Sequence, residues 1–186
     1  MPIVSNAAPD ELDSPFYVKN EKLCNSWEEY ILKDGGQING KFNAWSFGIK
    51  SKVKSNFTWL IDIKKATYSS GNLLLSSKYQ NLQEILIFRT VVFDSDCYSF
   101  HIRKSKFIDL FNLNSSPING IREYTFIGKS RNHSFSSGIV ELLREGFENG
   151  SLYGVKFKKS ELTIVFHHRN DWFEMADRIL AFDHNE

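Results

Sequence analysis

The stretch Gly150-SLYGVKFKKSELTIVFHHRNDWFEMADRILAF-Asp183 decides the fold class, because its hydrophobic period changes once, from that of a strand to that of a helix. Between Ser151 and Phe157, the side chains of Tyr153, Val155 and Phe157 share one face at a period of two. Lys158-Lys159-Ser160 signals a turn, and beyond it Leu162, Ile164 and Phe166 repeat the alternation. From Asn170 the pattern is helical: Trp172, Ala176, Ile179 and Leu180 form one stripe, with Phe173 beside it. A hairpin running into an amphipathic helix predicts an α+β protein. Frequent alternation and short turns elsewhere extend this to a mostly antiparallel sheet of about six to eight strands, with helices packed on one face.

Upstream, residues 1–20 hold Pro2, Pro9 and Pro15 among scattered acids and read as an extended arm. Residues 21–186 read as a single α+β domain. Asn20 or Asn25-Ser26 is placed to cap a first helix carrying Leu23, Trp27, Tyr30 and Ile31, which ends at Asp34-Gly35-Gly36. Ile38 to Lys54 is strand-like, with Gly40 and Gly48 as candidate bulges. Phe57 to Ile63, Ile85 to Phe93, Cys97 to Arg103 and Tyr124 to Ile127 follow as strands. Lys106 to Leu113 predicts a short helix, and Ile139, Leu142, Leu143 and Phe147 mark another, capped near Ser134–Ser137. Asn112 to Gly120 is the best place to divide the chain.

Composition bounds the function. A hydrophobic fraction of 41% supplies a core and argues against general disorder. Net charge is only +1, but it is unevenly spread: residues 1–34 are net −4, residues 35–168 net +8 and residues 169–186 net −3. A basic centre of this kind suits an acidic partner; the competing reading is that the ends fold back and neutralise it. Cys24 and Cys97 fit neither a zinc spacing nor a disulfide framework, and read as reduced thiols. The N-terminus lacks the basic and apolar regions of a signal peptide and no run is long enough to span a membrane, so a cytoplasmic location is expected.

Chemistry-bearing motifs are sparse. His167-His168 beside Asp171 is the one His-rich cluster, but adjacent residues of a strand point to opposite faces, so they are weak metal candidates. Glu174 and Asp177 lie one helical turn apart; paired carboxylates serve acid–base chemistry only in a cleft, and here they fit a solvated helix face. No phosphate-binding glycine loop and no nucleophile elbow is present. Trp27, Trp45, Trp59 and Trp172 read as core anchors rather than a ligand cage. Lys50, Lys52 and Lys54 alternate on one strand face, and Lys156 and Lys158 do the same in the hairpin. Lys64-Lys65, Arg103-Lys104, Lys106 and Lys159 extend the basic set. These are the candidate binding residues, for nucleic acid or acidic lipid, set against the alternative that lysines guard an exposed edge strand or form a generic solvated surface.

The order of Phe100-HIRKSK-Phe107, Arg122-EYTFIG-Lys129, a helix, Leu152 to Phe157, Leu162 to Phe166 and a final helix resembles a widespread bacterial module of unknown function. The resemblance implies a strand–strand–helix–hairpin–helix scaffold, in that family often attached to membrane segments, which this chain lacks. It implies no activity and no functional residue.

Three functions follow as expectations. The first is a non-catalytic interaction domain, such as an adaptor, inhibitor or immunity-type partner, with a protein as its partner and no cofactor. The second is an anion binder acting through the central lysines and arginines, which requires those side chains to share a face. The third is a hydrolase in which His167 or His168 meets Asp171, Glu174 or Asp177 in a pocket.

Overall fold

The computed structural model describes residues 2–69, 72–74, 83–92, 99–106, 109, 115–118, 120–129, 133–167 and 172–183. They carry eleven strands and four α-helices. The sheet structure is therefore larger than the expected six to eight strands. It is also mixed, because the first strand runs parallel to its neighbour. No helix among the described residues is long and apolar enough to cross a membrane. Two compact units are formed, one from Met1–Lys54 and Thr58–Ile87, the other from Ser55–Phe57 and Phe88–Glu186.

In the first unit, β1 (Ile3–Ser5), β2 (Gln37–Phe42), β3 (Phe47–Lys54) and β4 (Thr58–Ser69) lie side by side in that order. The first half of β6 (Gln83–Val91) follows β4, and β5 (Asn72–Leu74) also pairs with β4. Helix α1 spans Pro15–Lys33. It starts earlier than the Asn20 cap expected from sequence, because Ser14 accepts a hydrogen bond from the Phe16 N–H and Pro15 occupies the first helical position. The segment before α1 is not simply extended: β1 is followed by a 3-10 turn over Pro9–Glu11. Alternation in β3 and β4 buries Phe47, Ile49, Val53, Trp59, Ile61 and Ile63 toward α1, whose Tyr17, Cys24, Trp27 and Ile31 are buried in turn.

Gly40 and Gly48 are not bulges. The β2–β3 ladder runs without a register shift from Gln37↔Lys52 to Phe42↔Phe47. The Ile38–Lys54 stretch is instead a hairpin, turned by Asn43, whose Oδ1 accepts from the Trp45 and Ser46 N–H groups at 2.9 Å each. Gly40 is required by close approach, since a Cβ there would lie 2.7 Å from the Gly48 carbonyl oxygen.

In the second unit, the other half of β6 lies beside β11 (Glu161–His167), then β10 (Leu152–Lys158), β7 (Ser99–Lys104), β9 (Ile121–Lys129) and β8 (Ser115–Ile118). From β11 to β8 every pairing is antiparallel. Helices α2 (His133–Leu142), α3 (Arg144–Glu148) and α4 (Trp172–Leu180) complete it. Phe100, Phe135 and Phe157 pack ring against ring with centroids 5.2–6.2 Å apart, and the expected α4 stripe of Trp172, Ala176, Ile179 and Leu180 is buried. The hairpin turn places Lys159 and Ser160 at φ 53° and 63°, the left-handed pair of a type I′ turn.

One face assignment in this hairpin is corrected. Leu152 is buried and Tyr153 is 41% exposed, because the ladder with β11 slips between Leu152 and Gly154. An irregularity of one residue sends each side chain before it to the opposite face. The helix expected over Lys106–Leu113 falls mostly outside the described residues, as do Cys97, His168 and Asp171.

Candidate functional site

The inward face of the first unit's sheet is covered by α1, and its outward face carries the charge. Register places side chains of that outer face in rows across the strands. Val4, Lys41, Gly48 and Lys64 stand opposite one another in β1, β2, β3 and β4. The next row is Asn39, Lys50 and Asp62, and the next Gln37, Lys52 and Leu60. Lys54 faces Thr58 at the far end. Lys50, Lys52 and Lys54 are thus brought onto one exposed face, and Lys41 and Lys64 join them. Successive lysines along β3 are about 7 Å apart. Their shared sign gives that face a positive potential.

The edge-guard explanation does not hold for these residues. β3 is hydrogen-bonded on both sides, to β2 and to β4, so it is no edge strand. Lys65, the neighbour of Lys64, has the opposite parity and points inward. Its Nζ donates to Asn20 Oδ1 at 3.3 Å and lies 3.9 Å from Glu84, and burial lowers its pKa. Lys41 carried no signal in the sequence; only the hairpin register puts it opposite Gly48.

The rows border a groove of about 830 Å³, lined by Pro2, Val4, Lys41, Gly48, Lys50 and Lys64 among others. At the turn beside it, Trp45 is 37% exposed rather than a core anchor, and its ring lies 6.0 Å from that of Phe16, itself 55% exposed.

Lys156 and Lys158 are exposed on β10 and belong to the second unit. Lys156 stands between Thr163 and His101, and Lys158 faces Glu161 across the hairpin. Burial holds the His101 imidazole below its ordinary pKa, with Arg103, Lys156 and Lys106 adding to the effect. Arg103 is committed to structure: its guanidinium grips Asp109 through two bonds of 2.9 and 2.7 Å, and Asp109 also accepts from the Lys106 N–H. The guanidinium bonds, then the backbone bond, hold the Asp109 carboxyl below the usual range.

Of the residues of the hydrolase reading, His168 and Asp171 lie outside the described residues, and His167 and Glu174 are held in other contacts. His167 packs edge-on against the Tyr153 ring, centroids 5.0 Å apart, and burial lowers its pKa, with Lys104 contributing. Glu174 accepts from Arg178, which also binds Glu145 at 2.6 Å. Among the described residues no three His, Cys, Asp or Glu side chains converge as metal ligands. No protein-family model matches the sequence, and no curated protein matches it.

Proposed function

We propose that this protein is a non-catalytic interaction domain that recognises an acidic protein surface through the lysine-bearing outer face of β2, β3 and β4. The observation that carries this is the row pattern: Lys41, Lys50, Lys52, Lys54 and Lys64 share one face with a single acid, Asp62. The composition of the face favours protein over nucleic acid. Its described side chains interleave lysines with the aliphatics Val4 and Leu60, and include neither an aromatic platform for bases nor an arginine fork for phosphate.

The test compares the tagged wild type with a Lys50→Glu/Lys52→Glu/Lys54→Glu variant in capture from native lysate, with and without nuclease. Support is a stoichiometric protein that survives nuclease and whose affinity falls about tenfold or more in the variant. Capture abolished by nuclease transfers the face to nucleic acid. A partner held equally by both proteins overturns the assignment of the face.

A further inference from the structure

Gly48 is a glycine that the fold does not require. Its φ is not positive, and a Cβ built on it would meet nothing within 4 Å. It sits inside a strand, where glycine is disfavoured relative to alanine. Gly40 across the ladder is the opposite case, being forced by contact with the Gly48 carbonyl. What Gly48 provides is open space. It lies between Lys41 and Lys64 in one cross-strand row, with Lys50 the next outward residue along β3. Strand spacing sets the backbones of Lys41 and Lys64 about 10 Å apart, so one side chain is missing between two ammonium-bearing stems. That gap is part of the groove of about 830 Å³, which Val4 and Pro2 line with apolar surface.

We infer that the notch over Gly48 is the subsite for a carboxylate side chain on an extended acidic segment of the partner. The inference rests on the reading of the lysine face as a surface for acidic protein. A carboxylate seated above Gly48 has ammonium groups on both flanks and at one end. The lysine stems and Val4 offer apolar walls to the methylenes of a glutamate.

Fluorescence anisotropy with a fluorescein-labelled peptide of alternating Gly and Glu tests this on the full chain, with the Gly-Gln peptide as the neutral control. Gly48→Val fills the notch without touching a charge, and Gly48→Ser is a smaller second variant; thermal melts of both report the fold. The expected result is that the Glu peptide binds the wild type in preference to the Gln peptide. Gly48→Val then weakens it about tenfold, with Gly48→Ser between, and the melting temperature is unchanged or higher. Loss of binding in the triple lysine variant but not in the folded Gly48 variants overturns the notch and leaves the face standing. No selective binding of the Glu peptide overturns both. Displacement of the labelled peptide from the wild type by oligothymidine, at concentrations well below those at which unlabelled Glu peptide displaces it, overturns the carboxylate assignment in favour of phosphate.

Discussion

Asn20 joins the helix layer of the first unit to the turn that frames the lysine face, and replacing it tests how that turn is held. The residue is 1% exposed. Its Nδ2 donates to the Asn43 carbonyl at 2.8 Å and to the Ala44 carbonyl at 3.2 Å, and its Oδ1 accepts from Lys65 Nζ. Asn20→Ala removes all three. Two neutral bonds are worth roughly 0.5–1.5 kcal/mol each, and leaving buried partners unmatched raises the cost, for a total of about 2–4 kcal/mol. With a urea slope of about 2 kcal/mol/M, the midpoint falls by about 1–2 M. Asn20→Asp separates the donors from the bulk. It preserves shape and the Lys65 contact, but turns a carboxylate oxygen toward two carbonyl oxygens, and its loss at neutral pH equals or exceeds that of alanine. Protonation in acid supplies one donor and narrows the gap. Midpoints of both variants within about 0.3 M of wild type would refute the claim that this side chain holds the turn.

Three further outcomes follow from other parts of the structure. Tyr124→Phe keeps the T-shaped contact with Phe147 but deletes the hydroxyl that donates to the Leu152 carbonyl at 2.6 Å, costing about 1–2 kcal/mol by urea titration; a neutral effect would mean that this bond does not secure the β10 bulge. Gly40→Ala forces a Cβ against backbone and destabilises by about 1–3 kcal/mol, whereas Gly48→Ala is neutral or stabilising; equal melting temperatures for the two would contradict the difference in space. His101 and His167 have folded pKa values held below the ordinary 6.5, mainly by burial, so the unfolded chain binds more protons between those values and 6.5. Their contribution is intact above about pH 7 and stability falls as pH drops through 6.5; a His101→Gln/His167→Gln variant with the same slope from about pH 7.5 to 5.5 would rule out burial as the cause.

The hairpin and α4 were legible because their signals are local: alternation in Leu162, Ile164 and Phe166, then a helical stripe from Trp172 to Leu180, are properties of consecutive residues. Tyr153 was misplaced because the β10 irregularity is a property of the ladder, which needs the partner strand. The turn at Asn43 was missed because its Asn-Ala-Trp-Ser sequence lacks glycine and proline; a side-chain acceptor does their work. The start of α1 did carry a signal, Ser14 followed by Pro15, but the proline-rich run around it reads equally as an arm. For the candidate site, parity alone puts Lys50, Lys52 and Lys54 on one face. Whether that face belongs to an edge or a central strand is a matter of sheet order, which no single strand encodes. The same holds for Lys41, whose place beside Gly48 depends on a pairing rather than on a pattern.

Cys24 gives the first unit a chemical clock. Its thiol is fully buried under α1, and burial, then Glu28 and Glu21, push its pKa up to about 12. Only the thiolate reacts appreciably with alkylating reagents, so in the closed protein this sulfur is silent twice over, by access and by protonation. Reaction at neutral pH must wait for α1 to lift away from β2 and β3, where Cys24 regains an ordinary thiol's behaviour. The ratio of its alkylation rate to that of an unhindered thiol is then the equilibrium constant for that opening. A single native atom thereby reports how often the helix lets go of the sheet it covers.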